Sequence, residues 1–155
     1  MEFETQKQDM KGVKQLVEEI TKSIQKVIVG KSDTIELLII SMICRGHILL
    51  EDVPGIGKTT LAKVLLNELQ VNDLDVLEIN ASRTNSVDEV RTNIINFVQM
   101  IPFGEFKVVL LDEADYLSPN AQAALRGVME EYHTTSRFIL TCNYPNRVIP
   151  ALHSR

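Results

Sequence analysis

Several things are scarce in this sequence. Glycine and proline together supply only 12 of 155 residues, while 45% are hydrophobic and 24% charged. That balance excludes a disordered tail, a collagen-like repeat and a low-complexity linker, and leaves one domain with a real core. There are two cysteines. Cys44 and Cys142 stand in apolar surroundings with no C-x-x-C partner or histidine cluster nearby, so both are expected to be reduced, buried thiols. Long apolar runs are missing too: Leu37–Ile40 and Val108–Leu111 are far too short to span a bilayer, and the start of the chain lacks the basic and apolar regions of a signal peptide. A cytoplasmic protein with no membrane contact is expected. Basic charge is not in excess, with 16 Lys and Arg against 21 Asp and Glu and a net charge of −5. Residues 1–46 are balanced, so the acidic excess lies in 47–155, which excludes a generally basic nucleic-acid coat but not a local basic stripe.

What is present is a regular alternation. Residues 10–28 read as an amphipathic helix with Leu16, Ile20, Ile24 and Val27 on its apolar face. Asp33 with Glu36 reads as a capping box opening a second helix that Gly46 closes. His47–Leu50 is a short strand, 51–57 a turn, and Thr59–Leu69 a helix. Val76–Ile79 is a second strand, and Ser86 with Glu89 caps a helix running to about Met100. Phe106–Leu111 is a buried strand, Ser118-Pro119 starts a helix ending near Tyr132, and Arg137–Cys142 is the fourth strand. The pattern predicts an α/β domain: a parallel sheet covered on both faces, with a helical segment over 1–46 and the α/β core over 47–155. Ligands of such sheets bind beyond the carboxyl ends of the strands.

Three strand ends carry suitable residues. Asp52-Val-Pro54-Gly55-Ile56-Gly57-Lys58-Thr59-Thr60 follows a strand and opens a helix. Glycines let backbone N–H groups wrap a phosphate, Lys58 reaches its β/γ oxygens, and a hydroxyl is supplied for Mg²⁺. Asp52 stands where a P-loop has its first glycine. The run Val108–Leu111 then delivers Asp112 and Glu113 to a strand end. That suits a Walker B pair, with Asp112 holding the metal and Glu113 polarising the attacking water. Asp115 reads as a helix-entry or surface acid. Asn143, at the tip of the fourth strand, can orient the water near the γ-phosphate, and Arg155 can serve as an arginine finger for a neighbouring subunit.

Other residues read as structural. His47, His133 and His153 lack metal-ligand spacing; Phe97, Phe103, Phe106 and Phe138 read as core. Lys7, Lys11, Lys14, Lys22 and Lys26 form a solvated helix face diluted by Glu18 and Glu19. Arg83, Arg91, Arg126 and Arg137 are open to three readings: DNA, a neighbouring subunit or surface salt bridges.

These motifs in this order resemble the AAA+ ATPases, a three-layer P-loop NTPase core. Residues 25–60, from Val29-Gly30-Lys31 through Lys58-Thr59-Thr60, look like MoxR-type AAA+ ATPases, which tolerate an acidic residue at the position of Asp52. Residues 66–155 resemble sliding-clamp loader small subunits of tailed phages and of replication factor C. The likeness is carried by Glu78-Ile-Asn-Ala-Ser, Asp112-Glu-Ala-Asp, Ala121-Gln-Ala-Ala-Leu-Arg, Phe138-Ile-Leu-Thr-Cys-Asn and Leu152-His-Ser-Arg. The change of likeness implies a chimera, natural or engineered, or a divergent clamp loader.

The resemblance implies ATP and Mg²⁺ as cofactors. Pro54, Gly55, Ile56, Gly57, Lys58, Thr59 and Thr60 would bind phosphates, Val29 and Gly30 would border adenine, and Thr59 and Asp112 would hold the metal. Glu113, Asn143 and Arg155 would be base, sensor and finger. Partners would be ATP and ADP, neighbouring AAA+ subunits or further copies of the chain, a sliding clamp and primer–template DNA. The family's strand order, 5-1-4-3-2, has a fifth strand after the finger and then a helical lid. Neither lies in this sequence, so His47–Leu50 is expected as an edge strand. Three functions follow: a clamp-loader ATPase, a MoxR-like ATPase remodelling proteins, and a P-loop scaffold with little or no turnover.

Overall fold

The computed structural model describes residues 2–28, 30, 32–51, 57–83 and 87–153. Ten elements dominate: α1 (Glu2–Gln25), α2 (Ser32–Ile43), β1 (Ile48–Glu51), α3 (Lys58–Glu68), β2 (Val76–Asn80), α4 (Val87–Gln99), β3 (Lys107–Asp112), α5 (Pro119–Glu131), β4 (Ser136–Cys142) and α6 (Pro150–His153). The four strands pair in parallel in the order β1-β4-β3-β2. This is the α/β architecture expected from the sequence.

Position in the sheet decides burial. β3 and β4 are central and covered on both faces, so every residue of β4 is buried and all of β3 up to Leu111. Their alternating side chains feed two cores. Val109, Leu111, Phe138 and Leu140 pack with α4 and α5 on one face. Val108, Leu110 and Ile139 pack with α1, α2 and α3 on the other, joined by Ile20, Ile24, Ile35 and Leu65. Three layers result. β1 is an edge strand among the described residues.

Local signals explain the element ends. Ser118 caps α5, its Oγ accepting from the Ala121 amide at 3.3 Å, ahead of Pro119. α2 starts at Ser32, so Asp33 lies in the first turn, where it complements the helix dipole, and does not cap. Gly46 is not the left-handed residue that ends α2. Arg45 takes that conformation (φ 62°), and the Gly46 amide donates to Ser41 O at 2.7 Å. A Cβ on Gly46 would stand 3.3 Å from that carbonyl oxygen, which accounts for the glycine. α3 ends the same way, with Gln70 at φ 53° and the Val71 amide donating to Leu66 O. The Ser86–Glu89 capping box lies outside the described residues and side chains.

Four further sequence expectations are corrected. α1 spans Glu2–Gln25, starting ahead of residue 10, and its apolar face is narrower than the spacing suggested, since Leu16 and Val27 are exposed. Cys44 is exposed, because it follows the last turn of α2 on the side away from the sheet core. Phe103 is 72% exposed, on the loop before β3. Arg137 is buried, since it sits on a strand covered on both faces; its guanidinium donates to His133 O and Ser136 O and lies over the Phe106 ring. Burial, then the nearby Arg45 charge, push its pKa down. Asp115, read as a helix-entry or surface acid, does stand at a helix entry, in the short helical turn 114–116 after β3, and is buried at 4% exposure.

The amino end of the sheet holds a buried ion pair. Lys107 Nζ lies 3.1 Å from Asp75 Oδ1, with both side chains at most 2% exposed, and sits 4.4 Å from the centre of the Phe97 ring. Asp75 also accepts the Phe103 and Gly104 amides at 3.0 and 2.7 Å. Burial raises its carboxyl pKa, but those two amides and Lys107 outweigh it and hold the value below the usual 3.8. Among the described residues no helix is long and apolar enough to cross a membrane.

Candidate active site at the carboxyl ends of the strands

The polar strand tips converge at the opposite end. Gly57, at φ 81° and ψ 28°, precedes α3 in a conformation that glycine adopts without a steric penalty, and the Leu61 amide closes the first turn onto its carbonyl. A helix start made this way aims backbone N–H groups and the positive dipole end outward. A Cβ on Gly57 would meet Ile28 Cδ1 at 3.9 Å, so the Ile28 side chain lies against the start of α3. Gly30 itself is exposed, at φ 82°.

From the first turn of α3, two side chains reach the tips of the central strands. Lys58 Nζ donates to Cys142 O at 2.9 Å and to Asn143 Oδ1 at 2.7 Å. Thr59 Oγ1 donates to Asp112 Oδ1 at 2.7 Å. The sheet register places Asn80 beside Asp112, and the Asn80 amide group reaches Asp112 Oδ2 at 3.5 Å. Thr60 points out from the same turn and is exposed.

Glu113 follows Asp112 in the left-handed region, φ 57° and ψ 46°. That conformation costs a residue with a Cβ about 1–2 kcal/mol. Its N–H donates to Thr141 Oγ1 at 3.1 Å, offsetting part of that cost. The next carboxylate, Asp115, accepts the Asn143 amide at 3.3 Å. Burial raises the Cys142 thiol to about 11, helped by the Glu51 and Asp115 charges and opposed by Lys58. This thiol is therefore an uncharged core group, and only the Cys142 carbonyl faces Lys58.

Five predicted residues thus meet in one place: Lys58, Thr59, Asp112, Glu113 and Asn143. Val29, Pro54, Gly55, Ile56 and Arg155 lie outside the described residues. Sequence reasoning gave Thr141 and Asn80 no role and read Asp115 as a helix-entry or surface acid. Their signal was there: polar residues at or beside the carboxyl tips of apolar strands. The three histidines are structural or superficial. His47 packs edge-on against Phe138 and accepts its amide, and His153 Nδ1 lies 2.7 Å from Glu51 Oε1, joining α6 to the end of β1. His133 is exposed and contacts Glu130 O. No group of three or more His, Cys, Asp or Glu residues suited to a metal occurs among the described residues.

The chain is similar to known proteins. The chain is 45% identical over 113 residues to the replication factor C small subunit of Methanocella arvoryzae, covering 70% of this chain and 35% of that protein. It is 42% identical over 135 residues to the Methanosarcina barkeri replication factor C small subunit, covering 83% of this chain and 40% of the relative. A match of that extent runs back through the glycine-rich loop, ahead of residue 66. The chain spans 35–40% of the length of these relatives. Among solved structures, a RuvB variant from Thermotoga maritima shares the fold with a TM-score of 0.64 at 21% identity, over 86% of this chain and 45% of that one. A DNA polymerase III gamma subunit-related protein from the same organism gives 0.58 at 19%, over 70% and 38%. Residues 48–155, more than half of the chain, match the ATPase family associated with various cellular activities (AAA), and to that family the chain belongs.

Proposed function

We propose that this chain is the Mg²⁺-dependent, ATP-binding and hydrolysing core of a clamp-loader-type AAA ATPase. The observation that carries the reading is the contact of Thr59 Oγ1 with Asp112 Oδ1 at 2.7 Å. It joins the hydroxyl after the P-loop lysine to the strand-end carboxylate. Two hard oxygens converging from separate elements fit a hard divalent cation, which takes few protein ligands and keeps waters and phosphate oxygens for the rest. Bound Mg²⁺ would neutralise charge on the β- and γ-phosphate oxygens.

The chain's own groups supply the other functions. Lys58 offers its ammonium to the terminal phosphates, moving from the Cys142 and Asn143 oxygens that now hold it. Glu113 accepts a proton as a water oxygen bonds to the γ-phosphorus and the bond to the β,γ-bridging oxygen breaks, releasing ADP. Asn143, held through its amide by Asp115, orients that water. Gly55 to Thr60 wrap the phosphates and Val29-Gly30 border the adenine. Arg155 would act on the nucleotide of a neighbouring subunit.

The similarity to replication factor C small subunits supports work beside other AAA subunits or copies of the chain, with a sliding clamp and primer–template DNA as partners. Titration calorimetry with Mg²⁺-ATPγS is expected to show one site per chain in the wild type and none in Lys58→Ala. Phosphate release is expected to rise when a clamp and primed DNA are added. Absence of nucleotide binding at millimolar concentration would overturn the ATPase reading; binding without any response to clamp or DNA would overturn the clamp-loader part.

A further inference from the structure

Thr141 precedes Asn143 by two residues on β4 and is 1% exposed. Its hydroxyl makes two bonds at once. Oγ1 donates to Asp112 Oδ1 and accepts the Glu113 N–H at 3.1 Å. The directions follow from chemistry: an ionised carboxylate only accepts, a backbone N–H only donates, and a hydroxyl does both. One side chain therefore grips two consecutive acidic residues, the first by its carboxylate and the second by its backbone. The second is the residue in the left-handed conformation.

Among the described residues the Asp112 carboxylate has three side-chain donors, and they differ in kind. Thr59 is itself assigned to the metal, and Asn80 reaches only to 3.5 Å, the limit of a hydrogen bond. Thr141 is the donor that combines a firm hydrogen bond with no assigned contact to metal or nucleotide. The bracing is also reciprocal, because Asp115, beyond β3, accepts the amide of Asn143, beyond β4.

We infer that Thr141 is a positioning residue for this site: it turns the Asp112 carboxylate towards Thr59 and sets the backbone that aims Glu113. The inference rests on the ATPase reading above. Groups that orient a metal ligand without touching the metal typically cost about 10–100-fold in metal affinity or activity when removed.

The test uses the full chain with Thr141→Val, which keeps the shape and loses both bonds, and Thr141→Ser, which keeps the hydroxyl. Mn²⁺ is the metal probe, titrated by electron paramagnetic resonance against saturating ADP. The valine protein is expected to bind Mn²⁺ about 10–100-fold more weakly. Its metal-free ADP affinity in EDTA should stay within about twofold, because no phosphate contact is removed. Serine should restore metal affinity. In ligand-free protein, hydrogen exchange at the Glu113 amide should accelerate with valine and not with serine. Where ATP is turned over, kcat should fall with KM little changed.

Wild-type Mn²⁺ affinity in the valine protein, or failure of serine to rescue, would overturn the inference while leaving the ATPase reading intact. A wild type that binds no metal–nucleotide complex would bring down both. Should the valine protein fail to fold, Thr141→Cys, a weak donor of similar size, carries the same comparison with a smaller expected loss.

Discussion

The two ends of the central sheet each hold a lysine against polar neighbours, and they use it in opposite ways. Lys107, at the amino end of β3, is 2% exposed, paired with the fully buried Asp75 and stacked over Phe97. Lys58, at the carboxyl end, is half-buried and reaches a backbone carbonyl and an amide oxygen on the next strand tip. Lys107 and its carboxylate are walled in and closed to ligands. Under the proposed function Lys58 turns from these acceptors to phosphate oxygens. The Lys107 charge is compensated inside the core; the Lys58 charge stands at the edge of the proposed nucleotide site.

The contrast predicts a separation of stability from binding. Asp75→Asn leaves Lys107 charged and buried without its counter-ion, and should lower unfolding free energy by about 3–5 kcal/mol in urea titrations. Adding Lys107→Met should recover more than half of that loss, because the charge goes as well. An unchanged midpoint in the single variant would break the comparison.

Lys58→Ala should do the reverse. Its ligand-free stability should change by less than about 1 kcal/mol, as is usual outside the core. Yet it should abolish the gain that the wild type shows with Mg²⁺-ATP, about 2.7 kcal/mol at a hundredfold excess over Kd. Thermal unfolding with and without nucleotide measures both.

Acid titration sharpens the amino-end half. The Asp75 pKa is held below 3.8, so the stability it lends is complete above that value and is lost as pH falls through the lowered one. Unfolding followed from pH 6 downward should show this loss in the wild type and not in the double variant.

A smaller effect concerns the cysteines. Cys44 is exposed and should be modified by a thiol reagent in the native protein. Cys142, buried and raised to about 11, should react only on unfolding. Mass spectrometry after partial labelling distinguishes the two.

Much of this was legible in the letters. All four strands fall within a residue or so of their expected bounds, because apolar runs of four to seven residues between turn signals leave little choice. The convergence of Lys58, Thr59, Asp112, Glu113 and Asn143 followed from placing polar residues at parallel strand ends. What stayed hidden depended on sheet order. Arg137 reads as a surface cation until its strand is known to be central, where the Phe106 ring and two carbonyls receive it. Phe103 reads as core until Asp75 is seen to fix its amide on an outward loop. Thr141 is an ordinary strand residue in sequence, and its grip on Asp112 and Glu113 exists only once β3 and β4 lie side by side.

The helix ends at Arg45 and Gln70 carry a practical consequence. Each occupies a left-handed conformation that glycine would adopt with less strain, and both belong to the amino end, away from the proposed nucleotide site. Arg45 also presses its charge on the buried Arg137. Exchanging the two for glycine would harden the domain against heat by a few tenths to about 1 kcal/mol apiece. The face proposed to bind nucleotide would be left untouched, which gives a sturdier background on which damaging variants of that face can still be purified and measured.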